Sequence, residues 1–102
     1  DGKLDGEEIG YHSNEIIEYK KFYKDGKPKR EYVIYYDNGK VKCQNVYKDG
    51  KLDGENIVYY DNGTIKYKKF FKDGKLEGEE IGYYDNGKVM YKNVYKNGLI
   101  VR

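Results

Sequence analysis

The chain repeats itself every 24 residues, with no insertion or deletion anywhere. Its units are Asp1 to Lys24, Asp25 to Lys48, Asp49 to Lys72 and Asp73 to Lys96, and residues 97–102 begin a fifth. The third and fourth read DGKLDGENIVYYDNGTIKYKKFFK and DGKLEGEEIGYYDNGKVMYKNVYK. A fixed period of this length marks an array in which each unit buries its apolar surface against its neighbours, so residues 1–102 are expected to form one array. A second alternation, of 48 residues, runs through Lys21-Phe22, Asn45-Val46, Lys69-Phe70 and Asn93-Val94. Alternate units therefore face different surroundings.

Each unit carries two turn signals. One is Asp-Asn-Gly, at Asp37-Asn38-Gly39, Asp61-Asn62-Gly63 and Asp85-Asn86-Gly87; the other is Asp-Gly at Asp25, Asp49 and Asp73, with Asn97-Gly98 at the end. Asn and Asp start turns through side-chain to backbone hydrogen bonds, and Gly accepts the positive φ that follows. Runs of Ile, Val, Tyr and Phe of strand length lie between the signals. The chain has no Ala and 14 Tyr, a composition that disfavours helices and suits strands. No apolar run approaches the roughly 20 residues that cross a bilayer as a helix. The expected fold is all-β: an elongated, twisted single-layer antiparallel meander of tandem β-hairpins, about two strands per unit and eight in all.

The register follows from the loop. A three-residue Asp-Asn-Gly loop, a type I turn with Gly left-handed, pairs Tyr36 with Lys40 and sets Tyr35 opposite Val41. Unbroken alternation then sets Val33 opposite Cys43 and gathers all four on one face, with Tyr59, Ile65, Ile57, Tyr67 and Tyr83, Val89, Ile81, Tyr91 as counterparts. The opposite face is expected to carry Lys42, Lys66 and Gln44 among Tyr36, Tyr60 and Tyr84. One aromatic face would hold the sheet together through cross-strand pairs worth about 0.2–1 kcal/mol each.

Composition excludes several functions. Twenty basic against 18 acidic residues give a formal charge of +2, too balanced for a nucleic-acid binder. The chain has one Ser (Ser13), one Thr (Thr64), one His (His12) and one Cys (Cys43), and sequence neighbours such as His12 and Ser13 do not form the hydrogen-bonded pair that a nucleophile needs. Cys43 reads as a small apolar residue in a Tyr slot. Asp49-Gly50-Lys51-Leu52-Asp53-Gly54-Glu55 has the wrong spacing for a calcium loop, and four zinc ligands are not available. No catalytic residue, metal site or cofactor is expected.

Two surface features are candidate contact sites. His12, Tyr36, Tyr60 and Tyr84 form a stripe beside the loops, and Tyr offers large contact area with few torsions and a polar tip. Lys27, Lys29 and Arg30 make the densest basic stretch, a candidate for anions or acidic lipid, although Asp25 and Glu31 interrupt it. Glu7, Glu31, Glu55 and Glu79 open the first strands while Lys20, Lys68 and Lys92 lie on the second. That arrangement reads as cross-strand charge pairing on a solvated face.

The unit G-E-x-I-x-Y-Y-D-N-G-K resembles the bacterial variant of the MORN repeat along the whole chain. The resemblance rests on Gly6-Glu7, Gly54-Glu55, Gly78-Glu79, Tyr59-Tyr60 with Asn62-Gly63, and Tyr83-Tyr84 with Asn86-Gly87. It implies an elongated, curved β-hairpin sheet. Two units depart from the pattern. The first has His12-Ser13-Asn14-Glu15 for Tyr-Asp-Asn-Gly, and the second has Pro28-Lys29-Arg30 for Leu-Asp-Gly and Cys43 for Tyr.

The expected function is a non-catalytic scaffold for protein–protein interaction. Chains similar to this one are described as antitoxin or immunity proteins, which implies a protein partner. The alternative is peripheral binding to acidic phospholipid, as in a module that accompanies a phosphoinositide kinase. A cell-wall or glycan-binding repeat ranks below it, for such repeats lean on Trp and this chain has none. Open strand edges predict self-association or continuation in a longer chain. The chain starts at Asp1 without a Met, so it is expected to be a piece of a longer or processed protein, and both cytoplasm and cell envelope stay open.

Overall fold

A computed structural model describes residues 5–28 and 30–101. Among the described residues twelve antiparallel strands form one sheet: β1 (Gly6–Tyr11), β2 (Ile17–Lys24), β3 (Lys27–Pro28), β4 (Arg30–Tyr35), β5 (Val41–Lys48), β6 (Lys51–Leu52), β7 (Gly54–Tyr59), β8 (Ile65–Lys72), β9 (Lys75–Leu76), β10 (Gly78–Tyr83), β11 (Val89–Lys96) and β12 (Leu99–Ile100). The sheet order is β1-β2-β4-β5-β7-β8-β10-β11-β12, with β3, β6 and β9 paired to the ends of β2, β5 and β8. The all-β meander of hairpins is as expected. Four short strands, two residues each, raise the count above the eight long strands. They arise because Asp25-Gly26, Asp49-Gly50, Asp73-Gly74 and Asn97-Gly98 have positive φ at both residues. That pair of angles makes a primed two-residue hairpin turn and folds the chain back at once.

The long hairpins close as the loop chemistry dictates. Tyr36 N–H donates to the Lys40 carbonyl at 2.8 Å and Gly39 N–H to the Tyr36 carbonyl at 3.0 Å, a type I turn with Gly39 left-handed at φ 87. Asn38 Oδ1 accepts from Lys40 N–H at 2.9 Å, and Asn14, Asn62 and Asn86 do the same for their own loops. Tyr35 pairs with Val41, Tyr59 with Ile65 and Tyr83 with Val89, as the three-residue loop requires.

One residue further, the expected register fails. Cys43 pairs with Ile34 rather than Val33, Tyr67 with Val58 rather than Ile57, and Tyr91 with Gly82 rather than Ile81. The cause is a β-bulge in the second long strand of each hairpin, β2, β5, β8 and β11, which leaves Glu18, Lys42, Lys66 and Met90 without a ladder partner. An extra residue reverses the alternation beyond it. Cys43, Tyr67 and Tyr91 therefore lie on the face opposite Tyr35, Tyr59 and Tyr83, and Gln44 joins the latter. Its Oε1 accepts from the Tyr59 hydroxyl at 3.2 Å. Aromatic rings occupy both faces rather than one.

The bulge sets Cys43 and the tyrosines of its slot in one equivalent cross-strand pair per hairpin. On the face of Cys43, a Cβ added to Gly10 would collide with the ring of Tyr19, and one added to Gly82 with the ring of Tyr91. Each ring lies over the glycine paired with it. In the second hairpin Ile34 occupies the glycine position and pairs with the small Cys43, and in the third Val58 occupies it and pairs with Tyr67.

The sheet measures 46 × 33 × 12 Å. A second layer would add about 10 Å to that thickness, so the protein is a single ply. Among the described residues no hydrophobic side chain is fully buried, and the only buried polar ones are Asn56 and Glu80.

Candidate interaction surface

Each hairpin is tied to the next along both rims and only narrowly between them. In the middle, β2 meets β4 at Tyr19↔Ile34 and Lys20↔Val33, β5 meets β7 at Cys43↔Val58 and Gln44↔Ile57, and β8 meets β10 at Tyr67↔Gly82 and Lys68↔Ile81. At the loop rim the predicted stripe does the joining. Tyr36 donates its hydroxyl to the Tyr59 carbonyl and Tyr60 to the Tyr83 carbonyl, both at 2.6 Å, and His12 Nε2 is 2.9 Å from the Tyr35 carbonyl. Each bond spans 23 residues. Asn14, Asn38 and Asn62 reach forward in the same way to the carbonyls of Asp37, Asp61 and Asp85. Burial, followed by the Asp61 charge, raises the pKa of the Tyr36 hydroxyl. The ammonium groups of Lys42 and Lys66 lie 5.7 and 5.8 Å from the ring centroids of Tyr36 and Tyr60. Tyr84, at the same place in the fourth hairpin, is 49% exposed.

At the turn rim the acids do the joining. Asp53 Oδ2 accepts from Asp73 N–H at 3.2 Å and Glu77 Oε1 from Asn97 N–H at 3.0 Å. Of the predicted basic stretch, Lys29 lies outside the described residues. Lys27 packs its methylenes where a Cβ on Gly50 would meet them at 3.5 Å. Arg30 sits at φ 65, where Gly6, Gly54 and Gly78 stand in the other units, and its guanidinium carbon lies 4.5 Å from the Phe22 ring centroid. So Arg30 and Lys27 serve different places: a ring on the sheet face and a turn at the rim.

The face opposite Tyr35 carries a polar row between two apolar ones. Lys21 lies between the rings of Tyr19 and Tyr32, at 5.0 and 4.9 Å from their centroids. Asn56 donates to Asn45 Oδ1 and to the Gln44 carbonyl. Glu80 accepts from Tyr95 at 3.0 Å and Asn93 at 3.3 Å while Lys69 stands 3.5 Å from its other oxygen. The Asn56 and Asn45 amides approach the Cys43 sulfur, and burial raises the pKa of that thiol. The row is closed on itself, each polar group held by its neighbour. No cluster of three or more metal-ligating side chains occurs among the described residues.

The Tyr35 face holds what residue-by-residue reading missed. Two grooves, 48 residues apart, open at the first and third seams. One, of about 200 Å³, is lined by Glu7, Lys20, Phe22, Arg30, Glu31 and Val33. The other, of about 450 Å³, is lined by Glu55, Lys68, Phe70, Gly78, Glu79 and Ile81. The 48-residue alternation was the signal, because it places Phe22 and Phe70 in the grooves and Val46 and Val94 at the alternate positions. Phe70 is 44% exposed.

No curated protein matches the chain. A family model described as the MORN repeat variant matches it five times, over residues 4–25, 17–33, 31–49, 52–73 and 76–97. With those matches spanning most of its length and hairpins that recur every 24 residues, the chain belongs to the MORN repeat variant family.

Proposed function

We propose that the chain is a non-catalytic scaffold that binds another protein through the Tyr35 face, in the manner of an antitoxin or immunity protein. The observation that carries this is Phe70, an aromatic ring 44% exposed in a groove beside two glutamates. Aromatic anchors in such settings dominate protein interfaces. The tyrosine hydroxyls at the loop rim are already bonded within the sheet, which favours the groove over the stripe as the anchor. The reading is tested by pull-down from the source cell with the wild-type chain and Phe70→Val, alongside pelleting with vesicles of anionic lipid. A protein captured by the wild type and lost with Phe70→Val supports it. Vesicle binding that collapses as salt rises, with no protein captured, overturns it in favour of the lipid reading. A captured toxin whose activity the chain blocks would give the antitoxin role.

The unpaired positions on β1 and β11 favour a further hairpin docked against them, from another copy of the chain or from continuation of the array in a longer one. Gly10 and Ile9 on β1, and Tyr91 and Lys92 on β11, occupy the positions that inside the array pair as Gly82↔Tyr67 and Ile81↔Lys68. A head-to-tail contact would repeat an existing seam. Sedimentation velocity over a wide concentration range tests it, and a strict monomer throughout overturns it.

A further inference from the structure

On the Tyr35 face, each seam sets the side chain near the end of one hairpin against the first residue of the next. The three combinations differ. At the first seam Phe22 meets Arg30, whose guanidinium carbon stacks 4.5 Å from the ring centroid. At the second, Val46 meets Gly54 closely, since a Cβ on Gly54 would lie 3.2 Å from that of Val46. At the third, Phe70 faces Gly78, and a Cβ there would meet nothing within 4 Å. A large ring beside a glycine, with open space above both, is found at that seam alone among the three.

Everything else in the filled groove recurs in the open one. Glu55 pairs directly with Phe70 in the ladder, and Glu79 lines the far side, as Glu31 lines the first groove beside Phe22. Lys68 and Lys69 flank Phe70 where Lys20 and Lys21 flank Phe22, so these lysines are compatible with a guanidinium on the ring. Glu77 adds a carboxylate to the rim of the open groove, at the repeat position that the second unit fills with Lys29. The open groove is therefore the more acidic of the two. Its cavity, about 450 Å³ against 200 Å³, has the added room that a missing arginine leaves.

We propose that the groove over Phe70 receives an arginine side chain from a protein partner, with its guanidinium stacked on the Phe70 ring and its N–H donors directed to Glu55 and Glu79. Arg30 on Phe22 is the internal template for the stack. A planar guanidinium stacks on a ring and forks to carboxylates, which a lysine ammonium does not do. The Lys92–Glu79 pair at 3.0 Å is no obstacle, because both side chains are more than half exposed and such pairs open readily. The assignment deepens the scaffold reading and rests on it.

The test is an NMR titration of the full chain with N-acetyl-arginine methylamide, and separately with the lysine analogue. Saturable shifts are expected at Phe70, Glu55 and Glu79, with a midpoint on the order of 10 mM and weaker binding of the lysine compound. Phe70→Val, which copies Val46 and Val94 and so preserves the fold, is expected to weaken binding about threefold or more. Gly78→Arg should fill the groove from within and abolish the shifts. Arg30→Gly should open the first groove and add a second saturating set at Phe22. Shifts unchanged by Phe70→Val, equal binding of the lysine compound, or no saturation below about 100 mM would each overturn the proposal. A partner protein that binds Phe70→Val undiminished would overturn the groove while leaving the scaffold reading intact. Arginine binding with no partner captured from the cell would do the reverse.

Discussion

The Tyr36 hydroxyl donates to the Tyr59 carbonyl oxygen at 2.6 Å, across a gap of 23 residues. Tyr60 and Tyr83 repeat the bond at the next seam. Side chains that a sequence reader takes for a contact stripe are thus first of all fasteners between hairpins. Replacing Tyr60 by Phe removes the donor and leaves the Tyr83 carbonyl without it. The expected loss is about 1 kcal/mol in urea unfolding. Tyr84→Phe, at a position with no such bond among the described residues, should change stability by less than about 0.5 kcal/mol.

The Gly82–Tyr91 pair predicts strong non-additivity. A methyl group at Gly82 collides with the Tyr91 ring, so Gly82→Ala should cost about 1–3 kcal/mol. Gly82→Ile with Tyr91→Cys installs the Ile34–Cys43 combination of the second hairpin. The double variant should be more stable than Gly82→Ile alone, with a coupling of at least about 1 kcal/mol in a thermal-unfolding cycle. Equal losses would show that the ring does not depend on the glycine.

Besides the turn residues Asp25, Asp49, Asp73 and Asn97, two described residues hold left-handed backbone without being glycine: Glu15 at φ 70 and Arg30 at φ 65. At the place of Glu15 the other loops have Gly39, Gly63 and Gly87. Relief of about 1–2 kcal/mol of local strain, less the added freedom of the unfolded chain, predicts that Glu15→Gly stabilises by about 0.5–1 kcal/mol. Arg30→Gly relieves the same strain but loses the stack on Phe22, so its melting temperature should stay near that of the wild type. A large loss for either would argue that the side chain itself holds the loop.

Alkali should unfold the sheet. Burial comes first in raising the Tyr36, Tyr47 and Tyr91 hydroxyl pKa values, and for Tyr95 the hydrogen bond to Glu80 comes first. A folded pKa raised above the unfolded one means that the native state holds its proton longer. The stabilisation is complete below about pH 10 and is lost as pH rises through the folded values. Unfolding midpoints in urea should therefore fall above that pH, and some tyrosines should ionise late in an absorbance titration. Flat stability through pH 11 would contradict the shifts.

Much of this architecture was legible because the loop chemistry is local. Asp37-Asn38-Gly39 carries within three residues the side-chain acceptor and the left-handed position that set Tyr35 against Val41. The bulge at Glu18, Lys42, Lys66 and Met90 has no such marker: its residues differ in type and none is glycine. Alternation carried straight through it put Cys43, Tyr67 and Tyr91 on the wrong face. The pairs Gly10–Tyr19 and Gly82–Tyr91, each a ring over a glycine, fit the true register, but they become visible as pairs only once the bulge is known. The grooves were half legible, since the Phe–Val alternation was plain while Arg30 looked like part of a basic run until the left-handed backbone turned it onto Phe22.

A slab 12 Å thick has no inside, and length is then a free variable. Excising residues 49–72 would delete one seam and bring β5 against β10, with Cys43 facing Gly82 where Val58 had been. What should remain is a shorter ribbon that still melts as folded protein, because nothing at its centre was holding the rest. Gain or loss of a whole hairpin between Phe22 and Phe70, such as residues 25–48, would likewise space those rings farther apart or closer together without rebuilding anything else.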